Sequence, residues 1–187
     1  MPALRSPQDV LVTELKEIHS AERQLSRALP RLAKQASSER LREMLDQRRE
    51  QGAVLIERID DALEEMHTTK PRQKNLAAEG LIEDMQQHIE EVEEERLLDP
   101  LLLAGVQKIE HYCIAAWGTA KAMGRLLGEE QIVKTMEQVL EEGKEFDDQM
   151  TRLAEEEINP RMLGGEEAEE EEEGASGGRR GSRRRSR

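Results

Sequence analysis

The stretch PQDVLVTELKEIHSAERQLSRALPRLAKQ, residues 7–35, places apolar side chains at Leu11, Leu15, Ile18, Leu25, Leu29 and Leu32. Steps of three, four and seven stack these residues on one face of an α-helix, where neighbours in space are three and four apart in sequence. The seam is broken at one position only, where Glu22 stands in place of an aliphatic residue. Ser6 can cap the first turn and Pro7 is preorganised for it, so a helix is expected from there to about Gln35, kinked at Pro30.

The same grammar repeats along the chain. Ser37 and Ser38 open a second helix expected to reach about Met66, before a Thr/Lys/Pro stretch from His67 to Pro71 that no helix would cross. A shorter third helix is expected over about Leu76 to Glu95. Asp99-Pro100 reads as a cap followed by a first-turn proline, starting a fourth helix that ends near Leu127 at Gly128. The fifth is expected from about Glu129 to Ile158, stopped by Asn159-Pro160. Nothing alternates with period two over a strand length, so the domain reads as all-α.

Composition narrows the function. The chain has 187 residues, 36% hydrophobic and 37% charged, with a net charge of −13, which argues against a folded surface that binds nucleic acid as a whole. One Trp, one Tyr and one Phe cannot build a base-stacking platform, and a single cysteine excludes intrachain disulfides and cysteine zinc clusters. With no basic-then-apolar leader and no apolar run near membrane-spanning length, the expectation is a cytoplasmic protein with no membrane partner. Residues 1–163 are read as the helical domain and 164–187 as a disordered tail, acidic over Glu166–Glu173 and then Arg-rich. The tail's seven glutamates and six arginines nearly cancel. It is read first as a solubilising segment folding back on itself, and second as an anchor for nucleic acid or an acidic partner through Arg179, Arg180, Arg183, Arg184, Arg185 and Arg187.

Short turns make the first and second helices antiparallel, and likewise the fourth and fifth. Counting outward from Ser37 sets Glu22 opposite about Gly52 or Ala53, and counting from Gly128 sets Cys113 opposite about Lys144, next to Gly143. These positions share the middle layer of a four-helix bundle. The long connection carrying the third helix is the single crossover of a ferritin-like bundle, and that layer is where such bundles hold two metals on glutamates and Glu-x-x-His pairs. Here the layer is interrupted on the second helix by Arg48 and the Gln51-Gly52 step.

Glu14 to Ile18, Ser20 to Leu25 and Ala28-Leu29-Pro30 resemble the first helix of the YciE/YciF-type ferritin-like stress proteins. Gly80-Leu81-Ile82-Glu83 and the run Ile109-Glu110-His111-Tyr112-Cys113-Ile114-Ala115-Ala116-Trp117-Gly118-Thr119 resemble that family's third and fourth helices. The similarity covers about residues 7 to 155. It implies a five-helix ferritin-like domain, a homodimer, a link to stress responses and a di-metal layer, with no firmly assigned activity. The chain departs from the family pattern in that layer. Arg48 and Gln51 stand where the pattern carries His and Glu, Cys113 replaces the second glutamate of the fourth helix, Gly143 replaces one of a glutamate pair, and Asp84 stands for a glutamate.

Two states of the layer follow. In one, Glu22, Glu50, Glu110 and Asp147 hold iron or manganese with His111 as a further donor or an orienting group. In the other, which the lost donors favour, no metal is held and Arg48 reaches along the seam to pair with Glu22, offsetting the burial of both charges. His19, His67 and His88 read as solvated, Cys113 as an inert core residue, and Tyr112 and Trp117 as packing. There is no P-loop, Gly-x-Gly-x-x-Gly or Ser/His/Asp arrangement. Function is accordingly read as a structural or interaction module with a degraded di-metal layer. The alternatives are an active di-iron or di-manganese protein of oxidative-stress defence, and a nucleic-acid-associated adaptor working through the tail.

Overall fold

A computed structural model describes residues 4–71 and 74–163; the expected disordered tail lies outside them. Five α-helices make up the described chain: α1 (Pro7–Gln35), α2 (Glu39–Glu65), α3 (Leu76–Glu90), α4 (Leu98–Leu127) and α5 (Glu130–Leu153). Four long helices form a closed ring of neighbours in which α1 packs on α2 and α4, and α5 packs on α2 and α4. The crossover helix α3 lies against α4 and α1. The all-α fold with a long crossover is the one expected. No helix among the described residues is long and apolar enough to cross a membrane.

Helix direction follows from contacts at the two ends. The turn between α1 and α2 lies beside the start of α4, because the Ser37 and Ser38 backbone N–H groups both donate to the Asp99 carboxylate at 2.8 Å. At the other end Gln8 donates to Glu129, joining the start of α1 to the start of α5. Helices α2 and α4 therefore run the same way, opposite to α1 and α5. The α1 seam is buried as spaced, with Leu11, Leu15, Leu29 and Leu32 essentially inaccessible, and it meets Leu41, Leu45, Leu55, Ile59 and Leu63 of α2 in one core.

Local chemistry explains the helix ends. Ser6 accepts from the Asp9 N–H while Asp9 accepts from the Ser6 N–H, a reciprocal capping box ahead of Pro7. Ser38 caps α2 by accepting from Leu41, and Asn75 caps α3 by accepting from Ala78. Helix α4 ends at Gly128 in the left-handed region, φ 76°, which glycine adopts without a Cβ penalty.

Several expected boundaries move, each for a physical reason. Helix α3 stops at Glu90 instead of running to Glu95, since past Ile89 the chain offers five glutamates and Val92, and like charges a turn apart resist helix. Asp99 does not cap α4, which starts at Leu98 behind a short 3₁₀ turn over Glu95–Leu97; held inside the first turn, Asp99 serves the neighbouring α1–α2 turn. Asn159-Pro160 does not end the chain's helical course. After Leu153 a π turn over Ala154–Ile158 keeps Ile158 buried and leads into a 3₁₀ segment, Asn159–Leu163. Helix α1 continues through Pro30 to Gln35.

Candidate functional site

At mid-height, where the four long helices face each other, the core holds three charged side chains: Glu22 of α1, Arg48 of α2 and Glu110 of α4, exposed by 1%, 2% and 1%. The Arg48 guanidinium donates twice to Glu22, Nη2 to Oε1 at 3.0 Å and Nη1 to Oε2 at 3.1 Å, and Nε donates to Glu110 Oε2 at 2.7 Å. This is the bidentate fork that matches guanidinium to carboxylate, with a second carboxylate on the remaining edge. The Trp117 ring lies under the same cation, its centroid 5.4 Å from Cζ.

Two glycines make room for the triad. A Cβ at Gly52 would lie 2.7 Å from Glu22 Oε2, and one at Gly143 would lie 2.8 Å from Glu110 Oε1 and 2.4 Å from Trp117 Cζ3. Glu22 thus faces Gly52 in the register expected from the turn. Gly143 faces the gap between Glu110 and Trp117, which flank Cys113 by one turn on each side.

Electrostatics follow from burial. Loss of water alone would lower the Arg48 pKa, but Glu22 and Glu110 together hold it well above its usual value, so the cation is permanent. Burial pushes the Glu110 carboxyl up, and Arg48 only partly opposes this. The Cys113 thiol is driven well up by burial and by the Glu22 carboxylate, which leaves it protonated and unreactive.

The five candidate metal ligands do not converge. Glu22 and Glu110 meet across Arg48. His111 is exposed on the outer side of α4 and pairs with Asp147 of α5, Nε2 to Oδ2 at 3.1 Å. Glu50 is exposed on α2, because two residues beyond Arg48 a helix has turned some 200°. Among the described residues no group of three His, Cys, Asp or Glu side chains could hold a metal ion. The dinuclear centre of a ferritin-like bundle does not fit this donor set: a permanent cation bonds the two inward carboxylates, and Gln51, Gly52, Cys113 and Gly143 add no anionic oxygen. The sequence reading missed the second partner, pairing Arg48 with Glu22 alone. The available signal was Gly143, whose missing side chain leaves Glu110 space to turn inward.

A match to the family described as a domain of unknown function, DUF892, spans residues 6–163. The chain belongs to the DUF892 family. Its relatives include Protein YciF of Escherichia coli strain K12, 37% identical over 159 residues that cover 84% of this chain and 96% of YciF. The crystal structure of the E. coli stress protein YciF aligns with TM-score 0.78 and 38% identity, covering 83% of this chain and 99% of that one. YcfI of Rhodopseudomonas palustris, provisionally named a structural protein, aligns with TM-score 0.76 and 29% identity over 80% of this chain and 96% of its own. The resemblance to YciF-type proteins read from the fourth-helix motif is thereby established, and with it the helical architecture of this DUF892 member.

One histidine expected in solvent is buried instead. His19 is 1% exposed on α1, with Nε2 3.0 Å from Asp60 Oδ1 of α2; Lys70 pairs with the other Asp60 oxygen at 2.5 Å. Burial lowers the His19 pKa, Asp60 opposes the shift, and Arg23 and Lys70 add to it. A histidine held neutral in the fold takes its proton later than the unfolded chain does, so its contribution is complete above about pH 6.5 and is lost as pH falls through the lower folded value. Glu110, with a raised pKa, has the opposite sign: its ionisation penalises the fold as pH rises through the folded value. On going from pH 7.5 to pH 5 the wild type should therefore lose more stability to urea, or gain less, than the His19→Gln variant, since the Glu110 contribution is common to both. Identical slopes for the two proteins would refute the assignment.

Proposed function

We propose that this DUF892 protein is a metal-independent structural or interaction module of the stress-protein type, cytoplasmic and homodimeric, whose bundle is locked by an internal guanidinium. The observation that carries this reading is the buried Arg48 fork on Glu22 with Glu110 on its third edge. A ferritin-like bundle needs positive charge between its inward carboxylates, and a permanently protonated arginine supplies it without a redox-active ion. Support for the stress connection comes from the similarity to the E. coli stress protein YciF.

Metal analysis of protein purified without chelator should find well under one iron, manganese or zinc per chain, and EDTA should leave the melting temperature unchanged. A stoichiometric metal pair, with an absorbance change on adding peroxide, would replace this reading with an active di-metal protein of oxidative-stress defence.

A further inference from the structure

Glu110 commits one oxygen to Arg48, and its other oxygen, Oε1, is buried with no hydrogen-bond partner in the protein. The indole Nε1 of Trp117 is buried without a partner as well. Both side chains line one cleft of about 10 Å³, which Gln51 and Glu142 border on the α2 and α5 sides. Gly143 keeps this cleft open, since a methyl group there would fall within 2.8 Å of Glu110 Oε1.

The carboxylate oxygen and the indole N–H, carried by two side chains of the same cleft, each give up on burial a hydrogen bond that they make in water, and only an occupant can restore it. The cleft is too small for any ligand beyond about one heavy atom. Charge restricts the occupant further. A metal cation would sit against the Arg48 guanidinium, which lies 2.7 Å from the same carboxylate, and an anion would sit against Glu110 itself. What remains is a neutral, single-heavy-atom molecule that both donates and accepts.

We propose that this cleft is a binding site for one structural water, which donates to Glu110 Oε1 and accepts from the Trp117 indole N–H. Its second hydrogen faces the polar border formed by Gln51 and Glu142. The water completes the hydrogen bonding of the triad without altering its charge, and it gives Glu110 a contact with solvent protons that the packed layer otherwise denies. This inference rests on the guanidinium-filled layer of the reading above.

A crystal structure of the full chain at about 1.6 Å resolution should show an oxygen-sized peak about 2.7–3.0 Å from Glu110 Oε1. Because Trp117 is the one tryptophan of the chain, its indole proton is assigned on sight, and a rotating-frame cross-peak from it to water should appear in solution. Absence of both the density and the cross-peak would overturn the water site and leave the metal-independent reading standing. A peak with an anomalous signal about 2.0–2.2 Å from the carboxylate oxygen would overturn both.

Discussion

Replacing Arg48 by alanine should destabilise the protein by about 3–5 kcal/mol, because it leaves Glu22 and Glu110 buried and facing each other without a cation. Domains of this kind have only about 5–15 kcal/mol in total, so the loss would be read directly as a large fall in the urea midpoint. Lysine is not a conservative replacement: it cannot fork onto Glu22 while reaching Glu110, so Arg48→Lys should fall between alanine and wild type. The informative contrast is the triple variant Glu22→Leu, Arg48→Met, Glu110→Leu. Removing every charge together leaves nothing uncompensated, and such replacements are neutral or stabilising by about 1–4 kcal/mol in other proteins. A single Arg48→Ala loss below about 1 kcal/mol, or a triple variant as damaged as the single one, would show that the triad does not govern the layer.

Gly143→Ala is the second large effect expected, although it adds only one methyl group. Its Cβ would lie 2.4 Å from Trp117 Cζ3 and 2.8 Å from Glu110 Oε1. The indole is a rigid plane pressed against Arg48, and Glu110 is tied to the same guanidinium, so neither neighbour can yield alone. Overpacking of this kind destabilises by about 1–3 kcal/mol, and the disturbed cation should take the variant to the upper part of that range. Gly80→Ala is the control, since a Cβ at Gly80 meets nothing within 4 Å and relieves a helix-interior glycine. Gly143→Ala unfolding at the same urea midpoint as Gly80→Ala would contradict the close approach of α4 and α5 at this level.

Much of this was legible because helices report locally. The apolar seam of α1, the Ser6-Pro7 start, the Ser38 cap and the Gly128 stop each depend on residues within one turn, and each lies where the sequence placed it. Antiparallel pairing across short turns extends that legibility to one layer, so the level shared by Glu22 and Gly52 could be read by counting from Ser37, with Arg48 one turn away on the same seam. Asp99 shows where local reading ends. Its place before Pro100 signals a cap for its own helix, yet its carboxylate is taken by two N–H groups of the α1–α2 turn more than sixty residues earlier.

The candidate ligand set divides along the same line. Glu22, Glu50, Glu110, His111 and Asp147 are equally metal-like as residue types, and a one-residue change in phase turns a helical side chain by about 100°. Small differences in helix rotation therefore sent Glu110 inward to Arg48, left Glu50 in solvent and set His111 beside Asp147 on the outside. His19 illustrates the converse, a charged-looking flank that α2 and Asp60 cover.

The chain alone determined five helices, their hairpins and the presence of an arginine at the level of Glu22, because hydrophobic period and capping act over a few residues. Only the packed bundle decided that Arg48 bonds two carboxylates at once, that Trp117 lies beneath it and that the remaining acids turn away. Those outcomes depend on how four helices rotate against one another, and that rotation is set by the summed packing of side chains far apart in sequence.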